Sequence, residues 1–242
     1  MINKAKFQRY LRKLHRYLGV LLGIQFLFWT LGGLYFSWTN IDEIRGDNLR
    51  RRENNIDPNQ VKASLADVLA NMQADSIVKV GMVSILGKAH YQLIISKDKQ
   101  EKTLLADAQS GSIREPLSES EAVQIAKESL LGSSTVLKTE RITSTHGHHE
   151  YREKPLPAYA ITFDRPLATT VYVSAELGSV QSFRNNHWRI FDFLWMLHVM
   201  DFENRDNINN WLLRVFSVLG LITLLSGYTL FFITSRKIMT AK

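Results

Sequence analysis

The chain has 242 residues, a formal charge of +7 and no cysteine. The missing thiols exclude disulfides, thiolate metal sites, iron–sulfur clusters and Cys-x-x-Cys-His haem attachment. The basic balance does not mark a nucleic-acid binder, because the charge is segregated. All 23 acidic residues fall between Asp42 and Asp206, residues 39–210 hold 20 Lys and Arg, and the positive excess sits toward the two ends.

Residues 1–16 form a basic tail with Lys4, Lys6, Arg9, Arg12, Lys13 and Arg16 and no acid. Tyr17 to Trp38 follows as 22 residues without a charge, about 33 Å as a helix against a bilayer core of about 30 Å. The apolar core of a signal peptide is shorter, roughly 7–15 residues, and ends at small residues. This run ends in Leu34-Tyr35-Phe36-Ser37-Trp38, so it reads as a retained transmembrane helix, with Tyr35 and Trp38 suited to the interfacial belt. Residues 39–56 read as a linker, in which acids alternate with Arg50-Arg51-Arg52.

Between 57 and 186 the chain repeats itself. "YQLIISKDKQEKTLLADAQSGSI" (91–113) lies beside "YAITFDRPLATTVYVSAELGSV" (159–180). Each opens an alternating strand on a tyrosine, turns through polar residues, forms a second strand and ends in Ala-x-x-Gly-Ser-Ile/Val. Upstream, 57–72 puts Val61, Leu65, Val68, Leu69 and Met72 on one helical face. In 118–131, Ser118 and Glu121 stand at capping-box spacing, with Ala122, Ile125, Ala126 and Leu130 on one face. Strand patterns at 76–86 and 134–144 follow the helices. The spacing predicts two tandem units, 57–117 and 118–186, each a helix on an antiparallel sheet, an α+β fold.

The stretch 187–203 is rich in Trp, Phe, Leu and Met, interrupted by Arg189, Asp192 and two histidines, and reads as an interfacial helix. Trp211 to Ile233 is the second apolar run, with Arg214 its one charge, and residues 234–242 carry Arg236, Lys237 and Lys242. The positive-inside bias puts both termini in the cytoplasm and 39–210 across the membrane.

A helix followed by a sheet ending in "VYVSAELGSV" resembles the PepSY domain. The opening "LHRYLGVLLGIQFLFWTLGGLYFSW" and closing "LHVMDF…WLLRVFSVLGLITLLSGYTLFF" resemble the PepSY-associated transmembrane helices. The resemblance implies a bacterial inner-membrane protein with its PepSY units in the periplasm. It does not fix an activity: soluble PepSY units occur in peptidase propeptides, and some larger membrane members resemble haem-containing ferric-siderophore reductases.

Seven histidines are the chemical candidates. His15 and His198 stand beside the spans, where each is either an idle headgroup-level side chain or an axial ligand of haem b. The two lie near opposite faces, about 30 Å apart, whereas ligands of one haem are about 4 Å apart. Haem therefore requires a second copy, each histidine meeting its own counterpart in a homodimer, or another membrane protein; Gly19 and Gly23 allow close helix approach. His146, His148, His149 and Glu150 form either a transition-metal site or a solvated hairpin loop. His90 reads as structural or exposed, and His187 shares a helix face with His198. No Gly-x-Ser-x-Gly, His-Glu-x-x-His, phosphate loop or dinucleotide fingerprint is present. The chain thus reads as a bilayer-anchored, non-enzymatic binding or regulatory accessory. The alternative is a haem-b electron-transfer module related to ferric reductases, and a third reading is a periplasmic metal-binding protein.

Overall fold

A computed structural model describes residues 4–51, 55–70, 72 and 74–239; Arg52, Lys242 and the side chains of Arg236 and Lys237 lie outside what it describes. The chain divides into two compact units, one of residues 1–39 with 190–242 and one of residues 40–189.

The first unit is helical. Helix α1 (Lys4–Trp38) and helix α6 (Trp211–Met239) are both long and apolar enough to cross a membrane. They run antiparallel, since His15 meets Ser226 while Phe26 lies beside Gly220. From Lys4 onward the basic tail is the first part of α1 itself. Helix α5 (Asn186–Val199) brings its later residues against the second half of α1. Phe191 packs on Phe36, Gln25 donates to the Leu197 carbonyl at 2.7 Å, and Trp29 Nε1 donates to the His198 carbonyl at 2.8 Å. Residues 191–198 of the stretch expected at the interface thus pack along the apolar run of α1.

The second unit opens with the short helix α2 (Ile41–Arg45), capped by Asn40, and then carries two antiparallel sheets. The first follows helix α3 (Leu65–Ala70) and orders its strands β1 (Ser76–Ile85), β2 (Lys88–Lys97), β3 (Gln100–Asp107) and β4 (Ile113–Arg114) as a meander. The second follows helix α4 (Glu119–Ser129) with β5 (Val136–Ile142), β6 (Ala158–Phe163), β7 (Thr170–Ser174) and β8 (Val180–Arg184) in the same order. The repeat read from the sequence is thus two copies of one α+β unit, each with a fourth strand after the Gly-Ser turn.

The helix expected over 57–72 is shorter. Residues 58–60 form a single 3₁₀ turn, and the α-helix starts only at Leu65. The Lys62 and Ala63 amides both donate to the Ala108 carbonyl, at 2.9 and 3.0 Å, which holds that segment extended. Ser64 then caps the helix reciprocally with Asp67, their side chains 2.5 Å apart. The second repeat does the same: the Leu117 amide donates to the Ala175 carbonyl, and Ser118 and Glu121 form the expected capping box.

Val68 of α3 packs with Ala89, Tyr91, Leu93 and Ala106 on one face of the first sheet. Ala122 and Ala126 of α4 pack on Ile161, Val171, Val173 and Phe183 of the second. Ile85 and Leu105, on the opposite face of the first sheet, join this second core. The two sheets thus meet at the second core, and the first keeps its own beneath α3.

Candidate functional site

His15 is half-buried and hydrogen-bonded to helix α6. Its Nδ1 lies 2.8 Å from Ser226 Oγ and 3.2 Å from the Thr223 carbonyl, on the face of α6 where Gly227 leaves room for the ring. Ser226 already donates its hydroxyl to Thr223 O at 2.7 Å. Both atoms facing Nδ1 therefore accept, so Nδ1–H is the donor to them.

His198 stacks on Trp195, with rings 5.9 Å apart and 8° from parallel, and touches Trp29 and Phe36. Its Nδ1 is buried without a hydrogen-bond partner. It borders a cavity of about 410 Å³ otherwise lined by Trp29, Trp195, Val199, Ile208 and Leu213. The rings that hold His198 lie 14 to 21 residues beyond His15 on α1, about 21–32 Å by helical rise. One chain does not bring the two histidines together.

The 145–150 stretch forms a turn, with the His149 amide donating to the His146 carbonyl at 2.9 Å and the two rings 6.1 Å apart, edge to face. The Tyr151 amide donates to His149 Nδ1 at 3.0 Å. Glu150 is held by Arg189, whose Nε and Nη2 reach its two oxygens at 2.6 and 3.2 Å, and Tyr172 donates to it at 3.4 Å. Tyr151 is fully buried, stacked 4.9 Å from Tyr172. Among the described residues, no three His, Asp or Glu converge to hold a metal. Burial, with His146 adding repulsion, holds the His149 imidazole below its ordinary pKa, and burial pushes the Tyr172 phenol up. Beneath the loop, His149, Thr162, Thr170 and Tyr172 line a polar cleft of about 340 Å³.

His90 is 4% exposed on β2, with Nδ1 3.0 Å from the Lys88 carbonyl and Asp107 directly across the ladder. Burial lowers its pKa against the pull of that hydrogen bond. His187 lies in the first turn of α5.

A further groove lies where sequence reasoning saw a linker. It holds about 570 Å³ and runs between β1 on one side and the start of β8 with the end of α4 on the other. Arg50 and Arg51 stand at it because their segment is stitched to the end of α4. Arg50 bridges Leu130, the Arg51 amide donates to Ser129 O at 2.8 Å, and the Leu131 amide donates to Leu49 O at 2.8 Å. Arg50 lies over the Phe183 ring at 5.2 Å, and its Nε is buried without a hydrogen-bond partner. No local pattern announces this site, since it depends on pairing between residues 80 positions apart.

A family model described as PepSY-associated TM region matches residues 1–234 of the chain. No curated protein and no solved structure matches it.

Proposed function

Because the chain belongs to the PepSY-associated TM region family, we propose that it is a membrane-anchored binding or regulatory accessory without an enzymatic step of its own. Its two spans seat it in a bacterial inner membrane, with both termini cytoplasmic and residues 39–210 in the periplasm, in keeping with the basic tails. The groove between the sheets carries this reading: it joins apolar walls to two arginines that, among the described residues, make no ion pair. An apolar groove whose cations are ion-paired to no described acid is a recognition surface rather than a core. Fusions test the placement. Alkaline phosphatase joined after Ser144 is active and joined after Ser235 inactive; the reverse pattern overturns it.

A second reading, haem-b electron transfer, draws on the histidines. Nδ1–H of His15 is held by acceptors, so Nε2 is the nitrogen that would meet a metal, the arrangement a metal-bound imidazole adopts. His198 keeps an unpartnered ring nitrogen in an aromatic pocket. Each has one ring at its level, so a bis-histidine site takes its second ring from another copy or another protein. Haem there would supply one-electron chemistry toward a ferric substrate. The loop 145–150 as a metal site has less support, because Arg189 already occupies Glu150.

A further inference from the structure

We infer that the groove between the two sheets binds the carboxyl terminus of an extended peptide, with an apolar last residue in the groove and its α-carboxylate on Arg50 and Arg51; this rests on the accessory reading. Strand β1 is an edge strand, paired to β2 on one side only. Its Val80 and Met82 are each 41% exposed, because the six residues of α3 are too few to cover them. A free edge beside an apolar groove accepts a strand, which continues the ladder through its backbone and places alternate side chains in the groove. Met82, Ile125 and Val180 supply the apolar walls, and Ser84 and Ser179 offer hydroxyls.

The charge selects the occupant. A guanidinium has only donors, and a buried Nε–H without an acceptor is costly. A carboxylate in the groove accepts charge-assisted hydrogen bonds from the guanidinium N–H groups that line it. Glu128, at the same groove, accepts from Gln124 at 3.1 Å and disfavours a second acid on its side. One terminal carboxylate on the arginine side, followed backward by an uncharged extended segment, satisfies both constraints.

The test uses the full chain in detergent micelles and a fluorescein-labelled hexapeptide, Thr-Val-Thr-Val-Thr-Leu, as free acid and as C-terminal amide, followed by anisotropy. The free acid should bind about tenfold or more tightly than the amide, the difference of one lost charge-assisted hydrogen bond. Arg50→Gln and Arg51→Gln should each bring the acid toward the amide, and Ser84→Trp, which fills the groove, should weaken both. Circular dichroism melts check that each variant folds, and Arg51→Gln, on an exposed side chain, keeps the test open should Arg50→Gln unfold. Equal binding of acid and amide, or undiminished binding by Arg51→Gln, overturns the proposal. So does dodecanoate displacing the peptide as effectively as unlabelled peptide, because the occupant is then a lipid-like acid. Acid-selective binding by a protein that also carries haem would sink the accessory reading and leave the groove standing. A colourless protein that does not discriminate the acid would do the opposite.

Discussion

Gly111 and Gly178 occupy the same place in the two repeats. Each follows the third strand of its sheet with a left-handed φ, +75° and +66°, and donates its amide to the carbonyl four residues back, Asp107 at 2.8 Å and Ser174 at 3.1 Å. Their surroundings differ. A Cβ on Gly111 would stand 3.3 Å from Ala63, whereas one on Gly178 would stand 2.7 Å from Ile85 Cδ1 and 3.2 Å from Leu105. Gly178→Ala therefore adds overpacking at the junction of the sheets to the left-handed penalty that Gly111→Ala also carries. We expect Gly178→Ala to cost about 2–4 kcal/mol and Gly111→Ala about 1–2 kcal/mol, read as the difference between their denaturant midpoints. Equal losses would mean that the sheets do not meet at this turn.

The Arg189–Glu150 pair fastens the 145–157 loop over the second sheet. Arg189 also reaches the Ala168 carbonyl at 2.9 Å. Arg189→Ala should free the loop while leaving both sheets intact, and limited proteolysis should cut within 145–157 faster than in the parent. Unchanged cleavage would show that Tyr151, buried and donating to Pro155 O at 2.7 Å, holds the loop without help.

Acid should weaken the sheet unit. His90 and His149 both have folded pKa values below the ordinary histidine value, chiefly through burial. For such groups the unfolded chain binds protons first, so their contribution is complete above the unfolded pKa near 6.5 and is lost as pH falls through the folded values. Protonation also removes the acceptor at His149 Nδ1 that the Tyr151 amide uses. Melting temperature should fall from pH 7.5 to 5, and a His90→Gln, His149→Asn double variant should flatten that fall. An equal slope in the double variant would place the sensitivity elsewhere.

The spans, the repeat and the two-sheet fold were legible because each rests on a local period: an uncharged run, an alternation, a Gly-Ser turn. The first helix was overextended because Val61 fits a helical face, yet Lys62 and Ala63 bond to Ala108, a partner that local periodicity does not reveal. The cap at Ser64 went unread because the helix was expected to start before it, although Ser64 and Asp67 stand at capping spacing. His15 and His198 were legible as candidates by type and position, but not their tautomers or ring contacts, which depend on Thr223, Ser226 and Trp195. Arg50 and Arg51 looked like a charged linker. Only the bridge to Leu130 makes them part of a groove.

The central claim is that this membrane protein acts by binding rather than by electron transfer, and an absorption spectrum tests it most directly. The full chain, expressed in haem-replete cells and purified in mild detergent, is measured oxidised and then reduced with dithionite, at each oligomeric state that gel filtration resolves. The account predicts no Soret band in any fraction, and unchanged peptide binding by His15→Ala and His198→Ala. A Soret band that loses a distinct share in each of those two variants, and none on mutating His146, His148 and His149, would contradict it.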